Sequence, residues 1–427
     1  MLDVMSTNAH TKAHTKARAS TAFIVAFTAC LLSFQPMSTD IYLPALPVIA
    51  HELSLSVPAS QWTLLALLMG FALSQLAWGP VSDRWGRRRV LMTGCALYAA
   101  SGLACALAPD GTVLIGARLT MGCGLAAMVV CARALVRDLY DTAEGQLVFA
   151  RALTGMAIAA TLAGVAGGLL ARWVDWRVTL CGLGACAAAV GLLTWRRFDE
   201  SLPTGHAPSH LNATPQDEAP AWRRILPHPE FRLNTGLAAF TYAEAILFIG
   251  GSSLVLVRHL GVAPTTVGVL MTLYSSCFLT GTLMARRVLR RDGRPQALLF
   301  ASVFSGVASI GFLMLVLTGG WRLLPALVAV QMSYMLGHGF NQVCSQSGSV
   351  APFPHDAGKA AAWSGTLMIL CSVVLGQCQS WVLSFTPVAL PGFAAFNAAC
   401  AATLAWRLRH HGRAVVLRAA PGQRPAT

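Results

Sequence analysis

Long apolar runs are the feature of this sequence that most limits its fold. A helix of about 20 apolar residues crosses the hydrocarbon core of a bilayer, and we find twelve such runs in the 427 residues. Only 11% of the residues are charged, whereas a soluble protein has about 25%. We therefore predict an all-α membrane protein with twelve transmembrane helices. Their predicted ranges are 20–48, 60–80, 89–108, 112–133, 147–170, 176–196, 232–256, 265–286, 296–318, 322–346, 358–382 and 385–407.

The positive charges give the chain a direction across the membrane. Most of the 31 Lys and Arg residues fall in the two chain ends and in one alternate set of loops. The opposite loops hold only Arg172, Arg177, Arg258 and Arg322. Cytoplasmic loops are the ones enriched in Lys and Arg, so we predict that both termini are cytoplasmic. The net charge of +14 then reflects topology, and we expect no nucleic-acid partner.

The longest hydrophilic stretch, residues 198–228, divides the chain into two halves. Its many prolines and polar residues predict a flexible cytoplasmic linker. We therefore expect six-helix bundles at 20–197 and 229–408, with cytoplasmic tails at 1–19 and 409–427. The twelve cysteines lie inside or beside apolar runs without a CxxC pair. We interpret them as packing residues and predict neither a metal site nor a cofactor.

The two halves carry a faint repeat. The stretch "GPVSDRWGRRRVL" begins at Gly79 after the second predicted helix, and "GTLMARRVLRRDG" begins at Gly281 after the eighth. Gly79 aligns with Gly281, and Arg84 aligns with Arg286. Two parallel six-helix repeats joined by a linker are known in secondary transporters. The repeat therefore predicts two pseudo-symmetric bundles.

The loop that begins at Gly79 combines small, acidic and basic residues. Glycine lets two helices approach closely, and a carboxylate is favoured at the positive N-terminus of another helix. An ordinary basic loop is the alternative interpretation. The candidate latch residues are Gly79, Asp83, Arg84, Gly86, Arg87 and Arg88.

This loop resembles the loop 2–3 signature of the major facilitator superfamily, G-x-x-x-D-R-x-G-R-[RK]. The resemblance implies a conformational latch, and we expect Asp83 to hold the outward-facing state against the next half near Ala357–Ala361. "LIGARLTMGCGLAA" is similar to the helix-4 pattern of the superfamily, with Met121 in place of its Gln. "AGVAGG" departs from the helix-5 pattern of drug/proton antiporters, since Gly164 stands where proline is expected.

Three further stretches resemble one subgroup, the Bcr/CflA-type multidrug efflux transporters. They are "STDIYLPALP", "ARALVRDLY" and "APFPHDAGKAAA". The resemblance implies a monomeric antiporter of the bacterial inner membrane with protons, a small-molecule substrate and the lipid bilayer as its partners. Its expected function is proton-coupled export of small, largely apolar drugs or antibiotics by alternating access.

Ionisable side chains at membrane depth are costly and are often functional. Asp40 and Arg118 are the predicted proton-coupling pair, with Asp40 carrying the proton. A free aspartate is ionised near neutral pH, so this role requires surroundings that favour the protonated carboxyl. The candidate substrate contacts are Tyr42, Glu244, His338 and Asn341. Each ionisable residue also has a structural interpretation: snorkelling for Asp40, a buried structural cation for Arg118, packing for Glu244 and a hydrogen-bonded structural imidazole for His338.

Two other functions are open at this point. A proton-coupled exporter of a metabolite, such as an amino acid or a nucleoside, would have the same architecture. A membrane enzyme or sensor is the alternative of another class. The sequence contains no HExxH or GxSxG motif and no Walker A motif, since "AGKA" at 357–360 lacks both the upstream glycine and the Ser or Thr. We therefore expect a transporter that ATP does not drive directly, and not an enzyme.

Overall fold

The computed structural model describes residues 20–140, 142–198, 200, 221–353 and 356–419. The predicted N-terminal tail, most of the predicted linker and the last part of the predicted C-terminal tail lie outside the described residues. No strand occurs in this part of the chain, and twelve long helices follow one another. They are α1 (Thr21–Glu52), α2 (Val57–Trp85), α3 (Arg87–Ala106), α4 (Gly111–Leu139), α5 (Thr142–Trp173), α6 (Trp176–Arg197), α7 (Pro229–Arg258), α8 (Pro264–Arg291), α9 (Arg294–Thr318), α10 (Leu324–Val350), α11 (Ala357–Leu383) and α12 (Ala389–Ala419).

These helices confirm the predicted fold class, with some changes at the boundaries. Within the predicted linker, Ala221–Ile225 forms a short helix. Helix α12 extends to Ala419, so the first part of the predicted C-terminal tail is helical. Eleven of the described helices are long and apolar enough to cross a membrane. Helix α10 is not among these eleven because it carries many polar residues, including Gln331, His338 and Asn341.

Helix α1 is interrupted in its second half. Its first segment is Thr21–Asp40, a 3₁₀ turn follows at Leu43–Ala45, and the second segment is Leu46–Glu52. Pro44 and Pro47 lie in the first turns of the last two segments. Proline is tolerated there because the first N–H groups of a helix have no intrahelical partner. The prolines therefore allow a break beside Asp40.

The helix contacts repeat between the two halves. In the first half, α1 packs on α5, α2 and α3 pack on α4, and α3 packs on α6. The same pairs recur six helices later, as α7 with α11, α8 and α9 with α10, and α9 with α12. This correspondence is the pseudo-symmetry that the sequence repeat predicts.

Two helix pairs form the most extensive contacts between the halves, α2 with α11 and α5 with α8, and the second segment of α1 also packs on α7. We call the end that carries the start of α1 and the α2–α3 joint the tail end, and the opposite end the far end. Near the far end, Thr272 of α8 donates a hydrogen bond to the Thr161 carbonyl of α5 at 3.0 Å. Nearer the middle, Thr366 of α11 donates to the Ala72 carbonyl of α2 at 3.0 Å.

The tail end is more open. Arg133 is exposed on α4, although this helix is among the most buried of the spans. The Asp83 side chain at the end of α2 is 56% exposed. The exposure of Arg133 on a largely buried helix indicates that the tail end is open to solvent.

Candidate functional site

Asp40 is the last residue before the break in α1, and it is partly buried. Its Oδ1 accepts a hydrogen bond from the Thr39 hydroxyl at 2.8 Å. Helix α5 lies directly against the break, since a Cβ on Gly167 would be 2.7 Å from Ile41 Cα and 2.9 Å from the Asp40 carbonyl oxygen. A movement of α5 would therefore act on the backbone that carries Asp40.

Arg118 of α4 is completely buried, and its charge is compensated by backbone carbonyls and an aromatic ring. Its Nε donates to the Thr63 carbonyl and its Nη2 to the Ser38 carbonyl, both at 3.0 Å. The guanidinium carbon lies 4.1 Å from the centre of the Tyr42 ring. Carbonyls at the C-terminal end of a helical segment carry partial negative charge, and the ring face also attracts a cation. Arg118 therefore ties α4 to both α1 and α2.

None of the ion pairs among the described residues joins Asp40 to Arg118. The connection between them passes through the Ser38–Asp40 turn, where the Ser38 carbonyl binds Arg118 and the Asp40 carboxylate follows two residues later. Their joint role in proton coupling stays a prediction.

The Asp40 carboxylate also lies at the contact between the halves. Tyr242 of α7 lies near the Gln35 side chain and within electrostatic range of the Asp40 carboxylate. A relative motion of the halves would therefore change the surroundings of this carboxylate.

The four predicted substrate contacts are all buried in this conformation. Tyr42 lies beneath Arg118 and donates a hydrogen bond to Thr63 Oγ1 at 2.6 Å. Glu244, His338 and Asn341 lie inside the second half, and the Asn341 amide donates to the Ser305 hydroxyl at 2.9 Å. A ligand reaches these side chains only if the surrounding helices rearrange.

Two of the latch residues, Asp83 and Arg87, belong to an ion-pair network within the first half. Arg87 is buried and binds Asp83 at 2.5 Å and Asp138 at 2.9 Å. Arg137 lies 3.8 Å from Asp83. Asp138 was not among the predicted site residues, although it belongs to the quoted stretch "ARALVRDLY". Its signal was the position next to an arginine, five residues after the predicted span that ends at 133.

Glu200 is a second residue that the sequence interpretation missed. Its carboxylate accepts hydrogen bonds from the backbone N–H of Arg87 at 2.8 Å and of Arg88 at 3.3 Å. It therefore caps the positive start of α3. Gly86 has φ +93°, and a Cβ there would lie within 3 Å of the Glu200 carboxylate, so this joint requires glycine.

Gly79 and Asp83 lack the contacts that the latch prediction gave them. A Cβ on Gly79 would have nothing within 4 Å, so the predicted close helix approach at this glycine is wrong for this conformation. The exposed Asp83 pairs with cations of its own half. At the start of α11, Asp356 binds Lys359 and Arg224, each at 2.9 Å. The hydrogen bond from Lys359 lowers the pKa of Asp356, and the charge of Arg224 adds to this effect.

A family model described as Major Facilitator Superfamily matches residues 28–376. The chain belongs to this superfamily. This membership confirms the predicted family and identifies a transporter. The described residues contain no group of three or more His, Cys, Asp and Glu side chains that could hold a metal ion.

Several relatives within the superfamily have names that refer to drug resistance. The chain is 29% identical to multidrug resistance protein D of Escherichia coli, over 82% of this chain and 86% of that protein. It is 27% identical to a chloramphenicol resistance protein of Pseudomonas aeruginosa, over 86% of each. It is 24% identical to a bicyclomycin resistance protein homolog of Haemophilus influenzae, over 84% of this chain and 89% of that protein.

Solved structures support the superfamily fold. The chain resembles the crystal structure of a D-xylose-proton symporter with a TM-score of 0.68 and 17% sequence identity, over 90% of this chain and 96% of that one. At this identity, the likeness shows the shared fold alone.

Proposed function

We propose that this transporter exports small, largely apolar compounds in exchange for protons, in the inner membrane of a bacterium. The observation that carries the proposal is the position of Asp40. This carboxylate lies at the break in α1, beside Gly167 of α5 and near Tyr242 of the other half. The drug-resistance names of the three relatives support the substrate class.

The coupling follows from what moves around Asp40. Alternating access needs the halves to separate at the far end and close at the tail end. Such a motion displaces α5 and Tyr242 relative to the break and changes the hydration of the carboxylate. Arg118 holds the turn before Asp40 in place through Ser38 and Thr63. The carboxyl can then be loaded with a proton in one conformation and release it in the other.

The proposed orientation places the tail end in the cytoplasm, as the loop arginines and lysines require. The open tail end then corresponds to an inward-facing conformation. Asp83 latches the opposite state by moving to the start of α11, where Lys359 and Arg224 supply positive charge. The protein acts as a monomer without a cofactor or a nucleic-acid partner. A reporter active only in the periplasm and fused at residue 420 should give no signal, and a strong signal would contradict this orientation.

The decisive experiment replaces Asp40 in purified protein held in a weakly buffered solution. Chloramphenicol and tetraphenylphosphonium are added separately, and the change in pH is recorded. We expect wild type to release protons, Asp40→Asn to release none, and Asp40→Glu to keep part of the release because it retains a carboxyl group.

A matched control is Asp110→Asn, at the N-terminal cap of α4, because asparagine caps a helix as well as aspartate. This variant should behave as wild type. Wild-type proton release from Asp40→Asn would place the carrier elsewhere. Release on addition of amino acids or nucleosides, with none from either drug, would favour the metabolite exporter instead.

A further inference from the structure

Helix α10 carries a buried polar stripe along one face. Gln331, Tyr334, His338, Asn341 and Ser345 follow one another at spacings of three or four residues, and all five are buried. Side chains at this spacing share one face of a helix. The stripe runs from the middle of the second half towards the tail end.

Glu244 of α7 meets this stripe inside the second half. Its side chain is only 1% exposed, and neither carboxylate oxygen has a hydrogen-bond partner within the described part of the chain. The Gln331 side chain is its polar neighbour on α10, and both polar atoms of that amide also lack partners there. The Thr241 hydroxyl, one turn earlier on α7, is unpartnered as well.

The charged and titratable groups around Glu244 do not include a compensating cation. Tyr274 of α8 and Tyr334 of α10 are the titratable side chains that interact with it. His338 follows Tyr334 by one turn on α10, and both rings stack at 6.4 Å. None of the ion pairs described for this chain includes Glu244.

An ionised carboxylate in this position would be buried without a counter-ion, and the neutral Gln331 amide as a neighbouring donor does not compensate a full charge. A protonated carboxyl is neutral and needs one acceptor, and the Gln331 oxygen is available for that role. The geometry therefore favours Glu244 holding a proton in the present conformation.

We propose that Glu244 is a second proton-carrying site, separate from Asp40, and that the α10 stripe connects it to the tail end. The Tyr334 hydroxyl donates to the Thr241 carbonyl at 3.1 Å, and the His338 ring lies near the same carbonyl. Asn341 and Ser345 continue the stripe in the same direction. The inference rests on the proposed proton-coupled export.

This role differs from the predicted substrate contact. Glu244 is two residues from Tyr242, which places it about 200° further around α7. Tyr242 faces Asp40 and the first half, whereas Glu244 faces α8 and α10. A substrate between the halves would meet the first face, and a proton alone can use the second. Two carboxyl groups, one in each half, then give two protons per exported molecule.

The stoichiometry can be measured in proteoliposomes with the membrane potential clamped to zero. Chloramphenicol serves as a neutral probe, and its steady accumulation ratio is recorded at several pH gradients. Two coupled protons give a ratio that changes about 100-fold per pH unit, and one proton gives about tenfold. We expect about 100-fold for wild type and Glu244→Asp, and about tenfold for Glu244→Gln.

If Glu244 had only a structural role, its replacement would alter the transport rate but not the slope, that is, the change in accumulation ratio per pH unit. A slope of about tenfold in wild type would overturn the second site, even if Glu244→Gln fails to fold. A slope of about 100-fold in Glu244→Gln would also overturn it. If a sodium gradient drives accumulation without a pH gradient, the coupled ion is sodium and not the proton, and the second proton site is overturned. If no pH gradient drives accumulation in wild type, the proposed function itself fails, and the second site fails with it.

Discussion

At the scale of single residues, the best-defined interactions are those of a buried arginine that has no acidic partner among the described residues. Arg118 binds two carbonyl oxygens and lies over Tyr42. One of these oxygens, that of Ser38, lies in the last turn before the break in α1 and is therefore available to a side chain. The break thus stabilises a cation at a depth where charge is otherwise unfavourable.

We predict that Arg118→Lys lowers the transport rate at least about tenfold. The planar guanidinium group donates to two carbonyls and stacks on a ring, and one ammonium group cannot reproduce these contacts. The melting temperature should also fall, by the equivalent of about 1–3 kcal/mol for the lost charged hydrogen bonds. Drug efflux from cells and thermal unfolding in detergent measure the two effects. Arg258→Lys, at the exposed end of α7, is the control and should change neither. Wild-type efflux from Arg118→Lys would contradict the bridging role.

The sequence predicted Asp40 and Arg118 as site candidates because a charge is conspicuous inside an apolar run. It could not predict how Arg118 is satisfied, since hydropathy says nothing about carbonyls that a broken helix exposes. Asp138 and Glu200 were missed for the opposite reason. They lie at helix ends and in polar segments, where a carboxylate is ordinary, and only folding brings them to Arg87.

At the scale of helices and joints, the α2–α3 connection depends on one backbone conformation. Gly86 has φ +93° and faces the Glu200 carboxylate. We predict that Gly86→Ala destabilises the protein by about 1–3 kcal/mol, because alanine is strained at this φ and its methyl group would displace the cap. Thermal unfolding in detergent measures the loss.

Gly79→Ala is the matched control for this joint. It lies in the same motif, within α2, and has open space around the added methyl group. Alanine is also the better helix former, so this variant should not lower the melting temperature. Equal losses in both variants would mean that the motif glycines act through something other than the joint.

Helix α10 shows which features of a helix the sequence pattern predicts and which it does not. The sequence predicted a helix at 322–346, and the structure has one at Leu324–Val350. Its polar residues weaken the apolar signal, yet they are buried against other helices of the same half. A membrane protein can bury polar groups in its interior, so composition alone does not reveal which face they occupy.

At the scale of the whole molecule, the sequence predicted two halves but not the conformation in which they meet. A repeat and a charge bias are properties of the chain in every state of the cycle. The conformation depends on backbone approaches between α5 and α8 near the far end. A Cβ on Gly268 would lie 2.6 Å from the Gly164 carbonyl oxygen and 2.9 Å from Gly168 Cα. Gly164, which replaces the expected proline, is therefore part of the closed far end.

We predict that Gly268→Ala shifts the population towards a far end that is open. The added methyl group cannot fit against two backbone segments without separating α5 from α8, and overpacking of this kind costs about 1–3 kcal/mol. When the halves are apart at this end, the same methyl group meets no such neighbour. The cost therefore applies to one conformation only and changes the population ratio of the two conformations by about 5–150-fold.

Spin labels at positions 107 and 385, exposed on opposite halves at the far end, measure the distance between the halves in a background without the 12 native cysteines. Gly182→Ala, with nothing within 4 Å of its added Cβ, should leave the distance distribution unchanged. If Gly268→Ala also leaves it unchanged, the α5–α8 approach does not hold the far end closed, and the energetic difference between the two conformations has to come from other contacts between the halves, such as those of α2 with α11 and of α1 with α7.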